Sequence, residues 1–140
     1  HYKHSIESCT KYYKSFINSQ NLFLAIISNE DRMHIGNISV IIDSINYNAE
    51  VSIIIGEKSF WGRGFGLEAW NLVLNYLLKV STIRKVSAGT MAKNIPMISL
   101  MKNSGMEIEC VKKSHLILDG VAVDVVISSI FSKNNKGKKL

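Results

Sequence analysis

Gly62, Gly64 and Gly66 alternate directly ahead of a run, Phe65 to Lys79, whose apolar residues recur at helical spacing. A glycine-rich turn that feeds a helix holds anions. The N–H groups of the first helical turn have no partner within the helix, the helix dipole is positive there, and glycine leaves the backbone open to close approach. The chemistry such a turn supports is capture of a phosphate or pyrophosphate. Two familiar versions do not fit. A P-loop ends in Gly-Lys-Ser/Thr, which is missing, and the dinucleotide fingerprint wants its third glycine where Leu67 stands and an acidic residue about 20 positions on. A turn that needs glycine only for its shape would give the same spacing.

The elements that must position this turn can be read outward from it. The strand Ala49–Ile55 is rich in Val and Ile, and Gly56 ends it; it carries Glu50 fourteen residues before Gly64. The helix after the turn puts Ala69, Trp70, Val73, Leu74 and Leu77 on one stripe, with Glu68 in its positive first turn. Upstream, Ser5 caps a helix running to about residues 18–21, with Ile6, Cys9, Tyr13, Phe16 and Ile17 at helical spacing. Leu22–Ser28 and His34–Asp43 flank a polar turn and read as a hairpin. Downstream, Lys85–Met91 is a strand. Asn94 caps a helix that tolerates Pro96 in its first turn and turns Met97, Leu100 and Met101 to the core, and Gly105 stops it. Met106–Leu118 and Val121–Ser129 are strands joined by the two-residue turn Asp119–Gly120. The order αββ, βα, βα, ββ predicts an α/β domain with a central mixed, twisted sheet and helices on both faces.

At 140 residues and 46% hydrophobic content the chain suits one domain, spanning residues 1–131, with a basic and disordered tail over 132–140. The formal charge is +6, but Lys133, Lys136, Lys138 and Lys139 lie in that tail, and without them the charge is +2. With no aromatics interleaved, the tail does not predict nucleic-acid binding. No run of about 18 uncharged apolar residues exists, so no membrane span is expected. Nothing near His1 resembles a signal peptide, and Cys9 and Cys110 lack metal-ligand or disulfide-framework spacing, so the expectation is free thiols in the cytoplasm and no metal.

Trp61-Gly62-Arg63-Gly64-Phe65-Gly66 resembles the pyrophosphate loop of the GNAT superfamily of N-acetyltransferases, Q/R-x-x-G-x-G/A, except that Trp61 replaces the first residue. That replacement is shared with the branch similar to the ribosomal-protein-alanine and spermidine acetyltransferases. The stretch Asn94, Met97, Leu100, Met101, Lys102, Gly105, Met106 resembles the same branch's N-x-x-S-x-x-L-x-x-x-x-G-F at unchanged spacing from Asn to Gly. The resemblance runs from the Ser5 helix to Ile130, and it implies that the family's first strand and helix precede this chain.

The resemblance implies a GNAT fold splayed at the Glu50 strand to admit acetyl-CoA. The amides from Gly62 to Leu67, hence Trp61, Gly62, Arg63, Gly64, Phe65, Gly66 and Leu67, would hold the pyrophosphate. The backbone of Ile53, Ile54 and Ile55 would pair with the pantetheine amides, and Asn94 would touch the pantetheine arm or simply cap its helix. Acetyl transfer to a primary amine needs that amine neutral, and Glu50 stands at the spacing of the catalytic glutamate in the histone-acetylating branch. An amide near Ile54 would stabilise the developing oxyanion. The tyrosine that often protonates the departing thiolate is replaced by Met101, leaving solvent, Ser99, Ser104 or another tyrosine as candidates. His34 and His115 receive no role. The acceptor is a protein N-terminus, an amino sugar or a small amine. The alternative is a degenerate acyl-CoA-binding module that binds without turnover. The long C-terminal hairpin offers edges for a homodimer.

Overall fold

The structure is a computed structural model and describes residues 5–80 and 82–133. The tail predicted over 132–140 lies outside the described residues from position 134 on. Among the described residues six strands form one sheet, β1 Leu22–Ile27, β2 His34–Asp43, β3 Asn48–Ile55, β4 Lys85–Met91, β5 Glu107–Leu118 and β6 Val121–Phe131, in the order β1-β2-β3-β4-β6-β5. All neighbours are antiparallel except β3 and β4. Three α-helices among the described residues cover the sheet: α1 Ile6–Lys14, α2 Phe65–Asn75 and α3 Ile95–Asn103. The α/β mixed sheet expected from the element order is the architecture found.

Alternation along the strands sorts the core. Ile38 and Val40 of β2, Ala49 and Val51 of β3, and Val86 and Ala88 of β4 point to one face, where they bury Trp70, Leu74 and Leu77 of the α2 segment and Met101 of α3. Trp70 and Leu77 are completely buried, so the stripe read from helical spacing is the core-facing one. The last turn of that helix, Tyr76–Val80, widens to π-helical spacing instead of continuing the predicted α-helix to Lys79.

Among the described residues the opposite face is lightly covered, by α1 alone. Ser5 caps α1 through a capping box with Ser8, as the sequence suggests, yet the helix ends at Lys14 and none of its residues is buried. The expected apolar stripe does not face the core: Ile6, Tyr13 and Ile17 are exposed, and Phe16 is buried just beyond the helix. The contact is aromatic instead, with Tyr12 and Phe16 packed edge-on or tilted against Phe23 at ring distances of 5.8 and 5.2 Å.

The C-terminal hairpin turns at Asp119 and Gly120, whose φ angles of 50° and 79° are the left-handed pair that a two-residue turn of this type requires. Among the described residues no helix is long and apolar enough to cross a membrane. Cys9 and Cys110 are both exposed and free.

Candidate functional site

The sheet opens where β3 and β4 run side by side. Their parallel pairing covers only Asn48↔Lys85, Ala49↔Val86 and Glu50↔Ser87. Beyond Glu50 the strands part: β3 continues to Ile55 bonded to β2, while β4 continues to Met91 bonded to β6. The result is a wedge-shaped gap with one β3 edge exposed to it. Val51, Ile53 and Ile55 supply that edge.

Parity in the β2–β3 ladder identifies those residues. The N–H of Gly56 donates to the carbonyl of Ile35 at 2.9 Å, which makes that pair a hydrogen-bonded one, and the register is regular down to Asp43↔Asn48. In an antiparallel ladder bonded and non-bonded pairs alternate, so the amides of Ile54, Ser52 and Glu50 face β2. The amides of Ile55, Ile53 and Val51 face the gap. Ile54's own polar groups are taken up by the ladder, and the amides near it that face the gap are those of Ile53 and Ile55. The Ile54 side chain is exposed on the α1 face.

At the wide end of the gap lies the glycine turn. After β3 a 3-10 turn, Lys58–Phe60, is capped by the Glu57 carboxylate, which accepts from the Ser59 N–H at 3.3 Å and the Ser59 hydroxyl at 2.9 Å. Phe60 is buried and meets Phe65 edge-on at 5.0 Å, anchoring both ends of the loop. Gly62 and Gly64 have φ of 71° and 88°, and a Cβ at either would meet nothing within 4 Å. Glycine is there for backbone shape, and the space over both is open to a ligand. Gly66 differs, since a Cβ there would only touch Leu100, Ile55 and Ile53 at 3.6–4.0 Å.

Gly64 is the N-cap of α2 and has no side chain to cap with; the first backbone bond of the helix is from the Glu68 N–H to the Gly64 carbonyl, at 3.0 Å. The amides of Phe65, Gly66 and Leu67 therefore have no acceptor among the described residues. Free first-turn donors, a positive helix end and an open left-handed turn together form an anion cradle. The residues present fit a pyrophosphate.

Two further loop residues are fixed. Trp61 is mostly exposed, yet its Nε1–H donates to the Ile55 carbonyl at 2.8 Å, closing the loop back on the strand. That bond was not legible in the sequence. The Arg63 guanidinium lies 5.1 Å from both the Phe60 and Phe65 rings and 3.6 Å from the Glu30 carboxylate, on the rim of the cradle. Asn94 caps α3: its Oδ1 accepts from the Met97 N–H at 3.2 Å.

Glu50 sits at the vertex of the gap, exposed, on the face opposite α2, between Ile41 of β2 and Ser87 of β4. One pleat along β3, Ser52 shares a 2.8 Å hydrogen bond with Ser39 of β2, and the Tyr12 hydroxyl donates to Ser39 at 3.2 Å. The sequence reading passed over this chain of hydroxyls. Its only sequence signal is a serine set between β-branched neighbours on each of two strands, Ile38 and Val40 around Ser39, Val51 and Ile53 around Ser52. Met101 is fully buried, so that position offers no proton to the gap. Among the described residues no group of three His, Cys, Asp or Glu is arranged to hold a metal ion.

Comparison with known proteins bears on this arrangement. Residues 2–107 match the model of a family described as "Acetyltransferase (GNAT) domain". An uncharacterized N-acetyltransferase, p20, of Bacillus licheniformis is 25% identical over 118 residues, which cover 84% of this chain and 65% of that protein. The chain thus spans somewhat under two thirds of that relative's length. Among solved structures, a chimera of the spermidine N-acetyltransferase SpeG from Vibrio cholerae and hSSAT superposes with a TM-score of 0.84 at 21% identity, covering 94% of this chain and 82% of the other. The spermidine N-acetyltransferase of Vibrio cholerae in complex with CoA and spermine does so with a TM-score of 0.83 at 21% identity, covering 92% and 76%.

Proposed function

Because the chain belongs to the GNAT acetyltransferase family, we propose that it transfers an acetyl group from acetyl-CoA to a primary amine by direct attack on the thioester. The observation that carries this reading is the conjunction of an open anion cradle at Gly62–Leu67 with a gap between β3 and β4 that leads from it to Glu50. Acetyl-CoA supplies the acyl group; the chain's residues bind, orient and move protons.

In this reading the amides of Phe65, Gly66 and Leu67 bind the pyrophosphate, and the β3 edge accepts the pantetheine arm as a part-strand through Ile53 and Ile55. The arm then runs down β3 towards the vertex. Glu50 lies five residues from Ile55, roughly 17 Å along an extended strand. There it is placed to take a proton from the attacking amine, a role worth roughly 10²- to 10⁴-fold in rate. The Ile53 or Val51 amide, and not that of Ile54, meets the charge developing on the thioester oxygen. Asn94 contributes as the cap that holds the start of α3.

A small polyamine is the acceptor to try first, because the solved relative with CoA carries spermine. Protein N-termini and amino sugars belong in the same panel. Calorimetric titration of acetyl-CoA into the protein and into Gly64→Glu tests the cradle, since the added carboxylate repels the phosphate. Binding abolished by the substitution, followed by amine-dependent release of CoA thiol, is the expected result. Binding without acetylation of any amine would favour an acyl-CoA-binding module, and no binding at all would remove the cofactor and the reading with it.

A further inference from the structure

The departing CoA thiolate needs a proton, and the fold does not supply one from Met101, which is fully buried in the core. A different donor is built on the other face of the sheet. Tyr12 of α1, Ser39 of β2 and Ser52 of β3 form a continuous line of hydroxyls, 3.2 Å from Tyr12 to Ser39 and 2.8 Å from Ser39 to Ser52. Ser39 and Ser52 are directly opposite each other in the β2–β3 register. Ser39 is buried, Ser52 is exposed, and Tyr12 is half exposed, so a shielded hydroxyl lies between two that reach solvent. Ser52 also lies one pleat from Glu50 on the same face, on the part of β3 from which β4 has separated.

Two serines in this setting require an explanation. The positions flanking them, Ile38 and Val40 on β2 and Val51 and Ile53 on β3, are β-branched and apolar, and a packing role alone would suit Val or Thr at position 39. A hydroxyl buried at position 39 has a use only if it is bonded, and here it is bonded on both sides.

We propose that Tyr12, Ser39 and Ser52 are a proton relay that delivers the leaving-group proton in acetyl transfer. The inference rests on the activity proposed above. As the C–S bond breaks, the electron pair stays on sulfur and the thiolate takes the proton of the Ser52 hydroxyl. In the same step Ser39 passes its proton to Ser52 and Tyr12 passes its own to Ser39, so no serine alkoxide forms, and water at the exposed edge then reprotonates the Tyr12 phenolate. The proton that Glu50 removes from the amine returns to solvent separately, so the chain is neutral after each turnover. Ser52 is the catalytic residue of the relay because it alone meets the sulfur; Ser39 and Tyr12 act through it.

The test uses the whole chain with acetyl-CoA and an amine it acetylates. Ser52→Ala and Tyr12→Phe are expected to lower kcat roughly tenfold, less than loss of a full general acid because water can stand in. KM for acetyl-CoA and calorimetric CoA affinity stay unchanged. Ser52→Thr, which restores the hydroxyl, recovers most of the rate. The solvent deuterium effect on kcat is expected to depend on deuterium fraction as a curve in the wild type, with several protons in flight, and as a straight line in Ser52→Ala. Tyr12→Phe keeps its ring against Phe16 and Phe23, so a merely structural role predicts unchanged kcat and unchanged proton dependence. That result, in an active wild type, overturns the relay and leaves the acetyltransferase reading intact. A wild type that binds CoA and acetylates no amine overturns both.

Discussion

Glu50 of β3 and Ser87 of β4 are the last residues paired across the sheet's parallel junction, and the strands diverge immediately beyond them. A parallel pair that stops after three residues leaves a strand edge unpaired, which a folded protein normally avoids or uses. Here the free edge is continuous with the glycine turn, so one device, the early end of the β3–β4 ladder, positions the anion cradle and the carboxylate at opposite ends of one gap.

Glu50→Gln keeps the shape of the side chain and removes its ability to take a proton. With the cradle untouched, acetyl-CoA affinity measured by calorimetry should stay within twofold of the wild type. The value of kcat for acetylation is expected to fall by roughly 10²-fold or more, in the range of general base catalysis. A rate within threefold of wild type would assign proton removal to solvent.

Gly64 and Gly66 should respond differently to the same added methyl group. At Gly64, with φ of 88°, alanine is held in a conformation that costs about 1–2 kcal/mol, and the strain falls on the turn that shapes the cradle. At Gly66 the backbone is ordinary and the new methyl would make normal contacts with Leu100, Ile55 and Ile53. Gly64→Ala is expected to lower thermal stability and to weaken CoA binding about tenfold, while Gly66→Ala changes either by little. The comparison is made by thermal melts and titration on the two variants.

Much of this was legible in the sequence, and the exceptions have a common cause. Helix α2 and its buried stripe, the capped α3, the Asp119–Gly120 turn and the glycine loop all rest on short-range patterns: helical spacing, an Asn three residues before an unpaired N–H, and paired left-handed residues. What failed was pairwise across the fold. Tyr13 and Ile17 have helical spacing, but α1 covers only part of a face and buries Phe16 against Phe23 instead. Ile54 looks equivalent to Ile53 and Ile55 until the ladder with β2 sets which of them turns its amide to the gap. The bond from Trp61 to Ile55 and the Tyr12–Ser39–Ser52 chain join residues whose proximity no local rule encodes.

Acid should loosen the far hairpin where Asp124 holds it. Hydrogen bonding from the Lys113 ammonium, and then from the Ser114 amide, holds the Asp124 carboxyl below its ordinary value of 3.8. These contacts pin the irregularity between Lys112 and Leu116, where Ser114 has φ of 48°. A group whose folded value is depressed contributes stability above its unfolded value and loses it as pH falls through the folded one. Exchange of the Ser114 amide, followed by NMR, is expected to accelerate in the wild type below pH 3.8, beyond the change seen at unrelated sites. In Asp124→Ala, which removes the acceptor, it is fast already at neutral pH and lacks that additional acid step.

Trp61→Phe separates the ring from its hydrogen bond. The indole N–H occupies the Ile55 carbonyl, on the β3 edge that faces the gap, and ties the cradle to the strand it serves. Phenylalanine keeps an aromatic near Lys58, which lies 5.9 Å from the indole ring, but releases the loop. A hydrogen bond of this kind contributes about 1 kcal/mol, so a loop that must be held for the pyrophosphate should bind CoA about fivefold less tightly without it. The carbonyl, however, is also one that a pantetheine amide could use. If the indole competes with the ligand for Ile55, Trp61→Phe binds CoA more tightly than the wild type. Titration of CoA against both proteins decides between them, and the tether predicts the weaker variant.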